Sequence, residues 1–539
     1  MRIAALCAAS LLAAQQPEPL TLRTTARLVE VSLVVQDAKG RAIIDLTADD
    51  IEVLERGRPQ KIARFVKETA PDTPPASPAP ATPSQPNIVT NRADTYGGAV
   101  TVLLIDTLNT PWADQSFAKE RAASFLKGMR PTDRAAIYLL GRSFAILHDF
   151  TGDRASLEAK LAAWRGEARP GTADSNQPVN DSGIRNVNRP GDPFKEVFER
   201  EADLVTASRP LSTLLALESV AHHLAAFPGR KNLLWITGGL PLTMNLEHPA
   251  RLENIREKRN FGPETVRAVR ALNAANVALY SIDARGLFAD PQFGAAVRTG
   301  REARNTIGPG LRAMQTHWEG MGELAEATGG RLFINRNDID RAVAEAVDDG
   351  RVTYTLAYTP DDAAMDGKWR DIKVRVRRDG ARVRHRAGYY AKAADDAQDA
   401  REAAFRTAAW SPVDASVIGL TCRAALINDP QPDTIGLLLQ IDMANVAVEH
   451  RDGRWTGSLE VMALQRDREG RRYGPAESKR IGLHMDDATY ADARKNGLMW
   501  PYRLPREKQA SELKIIVRDN TSGAVGSVTV PHSRMEVVR

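Results

Sequence analysis

A run of apolar residues ends abruptly at Asp106, and hydroxyl and amide side chains follow at once. Residues 100–105 have no polar face, which is typical of a central parallel strand covered on both sides by helices. Ligands of such sheets bind just beyond the carboxyl ends of the strands. Asp106, Asn109 and Thr110 therefore stand where a ligand would be bound. An aspartate that only caps the next helix has the same appearance, and the sequence leaves that alternative open.

Two further residues are candidates at the carboxyl ends of the parallel strands. Gly238 and Asp283 each directly follow an apolar strand pattern, and Ser212 and Thr213 begin the long amphipathic helix that precedes the strand of Gly238. Because ligands bind beyond the carboxyl ends of such strands, we add Gly238 and Asp283 to the candidate ligand-binding residues. An aspartate that organises the following turn is an equally natural interpretation of Asp283.

The common catalytic motifs do not occur in the sequence. It contains no Gly-x-Ser-x-Gly elbow, no His-Glu-x-x-His motif and no phosphate-binding glycine loop. His222 and His223 are adjacent on a predicted helix, so their side chains point in different directions and suit one metal ion poorly. We therefore predict that the protein is not an enzyme. A secreted hydrolase with an unrecognised active site is the alternative, and a structural wall protein is a third possibility.

Composition places the chain among multidomain globular proteins. It has 539 residues, and 73 basic against 68 acidic side chains give a net charge of +5, too small an excess to indicate a nucleic-acid partner. Residues 1–14 resemble a secretory signal peptide, which predicts a periplasmic or extracellular protein. No later apolar run is long enough to cross a membrane. Once Cys7 is removed with the signal, Cys422 stands alone and no intrachain disulfide can form.

The order of hydrophobic patterns predicts an α/β fold class, with a doubly wound, mostly parallel sheet between two β units. The predicted sections are a signal peptide at 1–14, a small β module at 19–68, a Pro-rich linker at 69–98, an α/β domain at 99–360 with an exposed insertion at 165–205, a basic β-hairpin at 361–392 and a β-sandwich-like domain at 405–539. We expect the linker to be flexible, because its prolines block helix and strand hydrogen bonding.

Five short motifs follow one another along the chain, namely Val102–Asp106, Asp133–Tyr138, Gly229–Gly239, Tyr280–Leu287 and Leu324–Gly330. Together and in this order they resemble the VWFA-related family of the acidobacterial type, which contains a von Willebrand factor type A-like domain. The resemblance covers most of the chain. It implies a Rossmann-like sheet and a protein-binding or scaffolding role in the cell envelope, with a protein or an envelope polymer as the partner.

The same resemblance implies a metal-ion-dependent adhesion site in degenerate form. The family loop reads Asp-x-Ser-x-Ser and is completed by a threonine and a second aspartate. Asp106 and Thr110 match that loop, Thr213 is placed to supply the threonine, but Leu108 replaces a hydroxyl and Gly238 replaces the second carboxylate. The implied metal ligands are therefore Asp106, Thr110 and Thr213. With one assured carboxylate we expect Mg²⁺ or Ca²⁺ binding to be weak or absent, and no other cofactor.

Overall fold

The computed structural model describes residues 28–69, 87–92, 100–141, 143–166, 209–240, 243–246, 257–285, 317–334, 346–361, 364, 366–391, 398–427, 433–468 and 470–538. The predicted signal peptide and nearly all of the predicted insertion at 165–205 lie outside these residues. Among the described helices, none combines the length and the apolar character needed to cross a membrane.

Strands outnumber helices in the part of the chain that the structure describes. The strands are β1 (Val29–Gln36), β2 (Ile51–Glu55), β3 (Arg58–Gln60), β4 (Ile62–Thr69), β5 (Ile88–Thr90), β6 (Val100–Asp106), β7 (Arg134–Leu140), β8 (Phe144–Thr151), β9 (Lys231–Thr237), β10 (Thr243–Leu246), β11 (Glu257–Asn260), β12 (Val277–Asp283), β13 (Arg331–Phe333), β14 (Val352–Tyr358), β15 (Trp369–Val376), β16 (Arg382–Arg384), β17 (Gly388–Tyr390), β18 (Leu420–Ile427), β19 (Thr434–Ile441), β20 (Glu449–Arg451), β21 (Arg454–Arg466), β22 (Arg472–Met485), β23 (Leu498–Pro505), β24 (Glu512–Asp519), β25 (Val525–Pro531) and β26 (Glu536–Val538). The longer helices are α1 (Gln115–Gly128), α2 (Arg154–Ala163), α3 (Arg209–Leu224), α4 (Gly262–Ala274), α5 (317–328), α6 (Gln398–Trp410) and α7 (Asp487–Asn496), and a short helical segment lies at 346–349.

The central sheet has six strands in the order β13-β12-β9-β6-β7-β8. All neighbours are parallel except β8, which pairs antiparallel with β7 at one edge. Strand β6 is buried along its whole length, because apolar residues from α3, α4 and α5 pack on one face of the sheet and those from α1 and α2 pack on the other. This two-sided cover is what a strand without a polar face requires.

The amino-terminal strands and the strands that follow the central sheet form one β-sandwich. One of its sheets has the order β16-β1-β14-β4 and the other has the order β17-β15-β2-β3. The two sheets enclose a shared apolar core that includes Val31, Leu33, Tyr354 and Ile372. The central sheet is therefore inserted between two halves of a single sandwich.

This arrangement corrects the predicted sections on two points. The segment 361–392 is not a separate basic hairpin, because β15 pairs with β17 and β2 while β16 crosses to the other sheet and pairs with β1. In addition, β14 belongs to the sandwich, so the α/β unit does not extend to residue 360. Sequence patterns identify strands but not their long-range partners, so the two halves of one sandwich have the pattern of separate modules.

The carboxyl-terminal region is a second sandwich. One sheet has the order β23-β19-β18-β26, with β5 also paired to β18, and the other contains β20, β21, β22, β24 and β25. Helix α6 covers the outer face of the second sheet, where Phe405 packs against Met462 and Ile516. Cys422 lies in the core between the sheets as a free, buried thiol, and burial raises its pKa to about 12.

The predicted linker is also corrected. Residues 87–92, inside the section 69–98, form β5 and its flanks on the carboxyl-terminal sandwich. Asn91 fixes this segment, since its side chain donates to the carbonyls of Ala415 and Ile418 and accepts from the N–H of Leu420. The prolines of the section all lie outside the described residues.

The predicted α/β class holds only in part for the chain. The described residues contain mixed sheets and more strand than helix, because two antiparallel sandwiches accompany the central sheet. Apolar alternation in short strands carries less information than a long buried run, so the central sheet dominates a prediction from sequence.

Candidate functional site

The carboxylate of Asp106 accepts four hydrogen bonds at the carboxyl end of β6. Oδ1 accepts from the backbone N–H of Asn109 at 3.0 Å. Oδ2 accepts from the Asn109 side-chain amide at 2.8 Å, the Trp235 indole at 3.1 Å and the Thr237 hydroxyl at 2.8 Å. Since the side chain is 0% exposed, these donors replace its water shell.

The electrostatics of this carboxyl follow from its burial. Burial raises the pKa of Asp106, because the charged form loses its hydration, while the hydrogen bonds from Asn109, Thr237 and Trp235 act in the opposite direction. The three residues that donate these hydrogen bonds are neutral, so they stabilise the charged carboxylate without an ion pair. Such an arrangement anchors the loop after β6.

The other candidate residues of this edge connect to the same network. The Asn109 side-chain amide also donates to the Thr213 hydroxyl at 2.8 Å, and Thr213 donates to the Arg209 carbonyl at 2.9 Å. The hydroxyl of Thr110 accepts from the backbone N–H of Gly238 at 2.9 Å. The structure therefore brings together five predicted residues, namely Asp106, Asn109, Thr110, Thr213 and Gly238.

Gly238 is required by close approach of the two loops. A Cβ placed on Gly238 would lie 2.6 Å from the carbonyl oxygen of Asn109 and 3.2 Å from Cα of Thr110. Any side chain would push the loop after β9 away from the loop after β6. The residue that replaces a carboxylate in the resembled family thus has a packing role here.

Asp283 does not join this network. Its carboxylate accepts from Nε and Nη2 of Arg285 at 2.9 and 3.0 Å, and from the Trp318 indole at 2.6 Å. The Arg285 guanidinium also lies 5.8 Å from the centre of the Trp318 ring. Asp283 is the cap and ion-pair partner of its own turn, so it does not supply Asp106 with a second carboxylate.

The donor set fits a divalent cation poorly. The family resemblance implies side-chain oxygens of Asp106, Thr110 and Thr213 as metal ligands, and each of these side chains is already hydrogen-bonded within the protein. The Asn109 amide presents its N–H groups to Asp106, not its oxygen. Within the described residues there is also no group of three or more His, Cys, Asp or Glu side chains able to hold a metal ion.

Two residues of this network are missed by sequence reasoning. Trp235 and Thr237 are alternate residues of β9, so they project from the same face of the sheet, towards Asp106 on the neighbouring strand. The pattern Trp-x-Thr at the end of an otherwise aliphatic strand was the available signal. It places two side-chain donors one strand away from an isolated aspartate.

Trp112 lies just beyond this network and faces solvent. It begins a short 3₁₀-helix at Trp112–Asp114, directly after the loop that Asp106 fixes. Its side chain is 58% exposed, which is unusual for a tryptophan. A rigid, exposed aromatic side chain at the edge of the sheet is a typical centre of a protein contact.

One serine–histidine contact bears on the hydrolase alternative. His148 Nε2 lies 2.7 Å from the Ser156 hydroxyl, and His148 Nδ1 lies 2.7 Å from the Asp149 carbonyl oxygen. The backbone N–H groups of Ala155 and Ser156, next to this hydroxyl, both donate to the Asp153 carboxylate. These two N–H groups are therefore not available to an oxyanion.

Comparisons with known proteins were made for sequence and for structure. No protein-family model and no curated protein matches the chain. The solved structures that it is similar to include an aerotolerance-related membrane protein from Bacteroides fragilis NCTC 9343, at 14% identity over 47% of this chain and 99% of that chain, with a TM-score of 0.26.

Von Willebrand factor type A domains also occur among these structures. One is from Catenulispora acidiphila, at 11% identity over 61% of this chain and 74% of that chain, with a TM-score of 0.24. Another structure contains three N-terminal domains of the type V pili tip protein Mfa5 from Porphyromonas gingivalis, at 9% identity over 88% of this chain and 77% of that chain, with a TM-score of 0.25. Scores of this size carry no argument about function.

Proposed function

We propose that the protein is an exported, non-enzymatic binding module of the cell envelope, related to the VWFA family and using a von Willebrand factor type A-like sheet edge without a metal ion. The observation that carries this proposal is the set of four hydrogen bonds that the buried Asp106 carboxylate accepts from the protein. Its four donors hold the loop after β6 in one conformation, and that loop presents Trp112 to solvent.

The physical argument compares a cation with the donors already present. A cation that binds Oδ2 of Asp106 would have to displace the Trp235 indole and the Thr237 hydroxyl from that oxygen. The displaced groups would remain buried without partners, at a cost of about 1–3 kcal/mol each. A hard cation gains little from one carboxylate and neutral hydroxyls that could offset this loss.

Thermal unfolding with and without cations tests the metal-independent site. We expect no change in Tm on adding millimolar Mg²⁺, Mn²⁺ or Ca²⁺ to the full chain. A cation that binds only the folded protein at 100 times its Kd would stabilise it by about 2.7 kcal/mol. An upward shift that disappears in Asp106→Ala would refute the proposal; a shift retained in that variant would indicate a cation site elsewhere.

Partner retention tests the binding role of the edge. Immobilised protein is incubated with envelope extract in the presence and absence of EDTA, and the retained proteins are identified. We expect the same partner to be retained in both conditions, lost with Trp112→Ala and kept with Ile44→Ala, which removes an apolar side chain of almost the same exposure from the loop between β1 and β2. If the partner is lost in EDTA, the contact depends on a metal ion. If retention is unchanged by Trp112→Ala, the surface around Trp112 is not the binding site.

A further inference from the structure

A second surface suited to binding lies on the carboxyl-terminal sandwich, far in sequence from Asp106. The outer face of the sheet β23-β19-β18-β26 contains a cavity of about 720 Å³. Binding sites for small ligands and peptides have volumes of about 300–1,000 Å³. The opposite sheet of this sandwich is covered on its outer face by α6, whereas side chains of this face line an open groove.

The groove results from small residues placed next to each other in register. Ala425 of β18 pairs with Gly436 of β19, and these two residues form the floor. Ile427 leans over this floor, since a Cβ on Gly436 would lie only 2.4 Å from Cδ1 of Ile427. Leu438 and Pro501, which are paired across β19 and β23, form an opposite wall.

The walls expose more apolar surface than a solvated sheet needs. Leu438 is 37% exposed and Val538, at the end next to Ile427, is 48% exposed. Met499, 49% exposed, extends the same face along β23. Contiguous exposed apolar groups on a sheet face mark an interaction surface.

Two polar groups in the groove are suited to a ligand of defined chemistry. Asn87 is 4% exposed, and its side-chain N–H donates to Glu536 at 3.0 Å, but its Oδ1 is buried without a hydrogen-bond partner. A buried acceptor of this kind requires an N–H donor. Across the part of the chain that the structure describes, the Arg503 guanidinium has no ion pair or side-chain hydrogen bond, and it lines the groove together with Arg423.

We propose that this groove binds an acidic peptide segment of a partner protein. Aliphatic side chains of the peptide occupy the trough above Ala425, between Ile427 and Leu438, a backbone N–H donates to Oδ1 of Asn87, and an aspartate or glutamate pairs with Arg503. The peptide lies across the sheet face and does not extend the sheet at β23, because Pro501 and Pro505 deprive that edge strand of N–H donors. This proposal does not depend on the role of the Asp106 edge.

A pair of synthetic peptides tests the charge requirement. The probe is a fluorescein-labelled, C-amidated peptide of sequence Leu-Glu-Leu-Asp-Leu, and its control has lysine in place of both acids. Fluorescence anisotropy with the full chain is expected to show saturable binding of the acidic peptide and no binding of the lysine peptide. Absence of binding by the acidic peptide, or equal binding of both, overturns the proposal.

Variants locate the binding in the groove. Arg503→Glu, and the milder Arg503→Gln, are expected to weaken binding by about ten-fold or more, as loss of about 1.4 kcal/mol would do. Ala425→Trp should fill the trough and abolish binding. The matched controls are Arg454→Glu, an exposed arginine on the other sheet, and Thr421→Trp, on the same face of β18 but not lining the cavity. Unchanged binding in the groove variants refutes the site.

Two other occupants are distinguished by the same proteins. If dodecanoate binds with dependence on Arg503 while the acidic peptide does not bind, the groove accepts an anionic lipid and the peptide proposal is wrong. If sedimentation shows a dimer that Ala425→Trp dissociates, and no peptide binds, the occupant is a second copy of the chain, which also overturns the proposal. Circular dichroism and Tm of each variant confirm that its fold is intact.

Discussion

The indole N–H of Trp235 donates a 3.1 Å hydrogen bond to Oδ2 of Asp106, 129 positions earlier in the chain. The two residues lie on neighbouring parallel strands, β9 and β6. Through this contact the protein itself supplies a hydrogen-bond donor to the carboxylate at the position where the resembled family binds a cation. This hydrogen bond favours the charged form of the carboxyl, whereas burial raises its pKa.

The Thr237 hydroxyl is expected to contribute more than an ordinary buried threonine. Thr237→Val keeps the volume but removes a donor to the Asp106 charge, so we expect a loss of about 1.5–3 kcal/mol in the free energy of unfolding. Thr265→Val, which removes an equally buried hydroxyl bonded to the neutral carbonyl of Phe261, should cost about 1 kcal/mol. Urea unfolding measures both, and equal losses would contradict a charged acceptor at Asp106.

The pH dependence of stability should differ in sign for Asp106 and Asp414. Burial raises the folded-state pKa of Asp106 above the ordinary value of 3.8. The folded state therefore binds this proton more tightly, and stability falls as pH rises from 3.8 through the raised pKa. The difference in unfolding free energy between the wild type and Asp106→Asn should accordingly decrease with rising pH in that window.

Asp414 is the matched control. Burial opposes its ionisation, but the Lys514 ammonium and the hydrogen bonds from Thr529 outweigh burial and lower the pKa of Asp414. Its contribution to stability is present above 3.8 and is lost as pH falls through the lowered pKa, so the difference between the wild type and Asp414→Asn should increase with rising pH below 3.8. Urea titrations between about pH 2 and 7 would show the two slopes, and slopes of equal sign would contradict one of the assignments.

The ion pair between Arg384 and Asp349 is expected to hold the central sheet against the amino-terminal sandwich. Asp349 is 1% exposed and also accepts from Tyr280 of β12. Arg384→Met would leave a buried carboxylate without its cation, and we expect a loss of about 3 kcal/mol. Adding Asp349→Asn should restore part of that loss.

An exposed pair provides the comparison for Arg384. Arg375, 56% exposed, lies 3.5 Å from Glu52 on the surface of the same sandwich. Arg375→Met should cost less than about 1 kcal/mol, because solvent screens the pair. Calorimetric unfolding compares the variants, and similar losses in both arginine variants would show that the Asp349 pair is not effectively buried.

The segment 87–92 should resist proteolysis as part of the carboxyl-terminal sandwich. The Asn91 side chain makes hydrogen bonds of 2.6, 2.9 and 2.6 Å to Ala415, Ile418 and Leu420. Asn91→Ala should release this segment and produce cleavage within it, as mapped by mass spectrometry of brief digests. Asn445→Ala, which removes one exposed amide contact to Val417, should leave the digest unchanged. Rapid cleavage within 87–92 of the wild type would contradict the anchoring.

Local sequence pattern determined much of the central sheet by itself. The apolar residues of β6, β9 and β12 have no polar face, so burial between helices was their only stable environment. The same patterns placed Asp106, Asn109, Thr110 and Gly238 at one edge, because the carboxyl ends of parallel strands meet there. These predictions rest on periodicity, which is a property of neighbouring residues.

The tertiary structure decided which groups meet across long distances. It assigned the indole of Trp235 to Asp106, Arg285 to Asp283, and β14 to β1 and β4. It also placed Asn91, from the predicted linker, against Leu420. Strand partners and buried hydrogen bonds depend on the packing of whole sheets, and many partners are compatible with one local pattern, so sequence periodicity cannot choose among them.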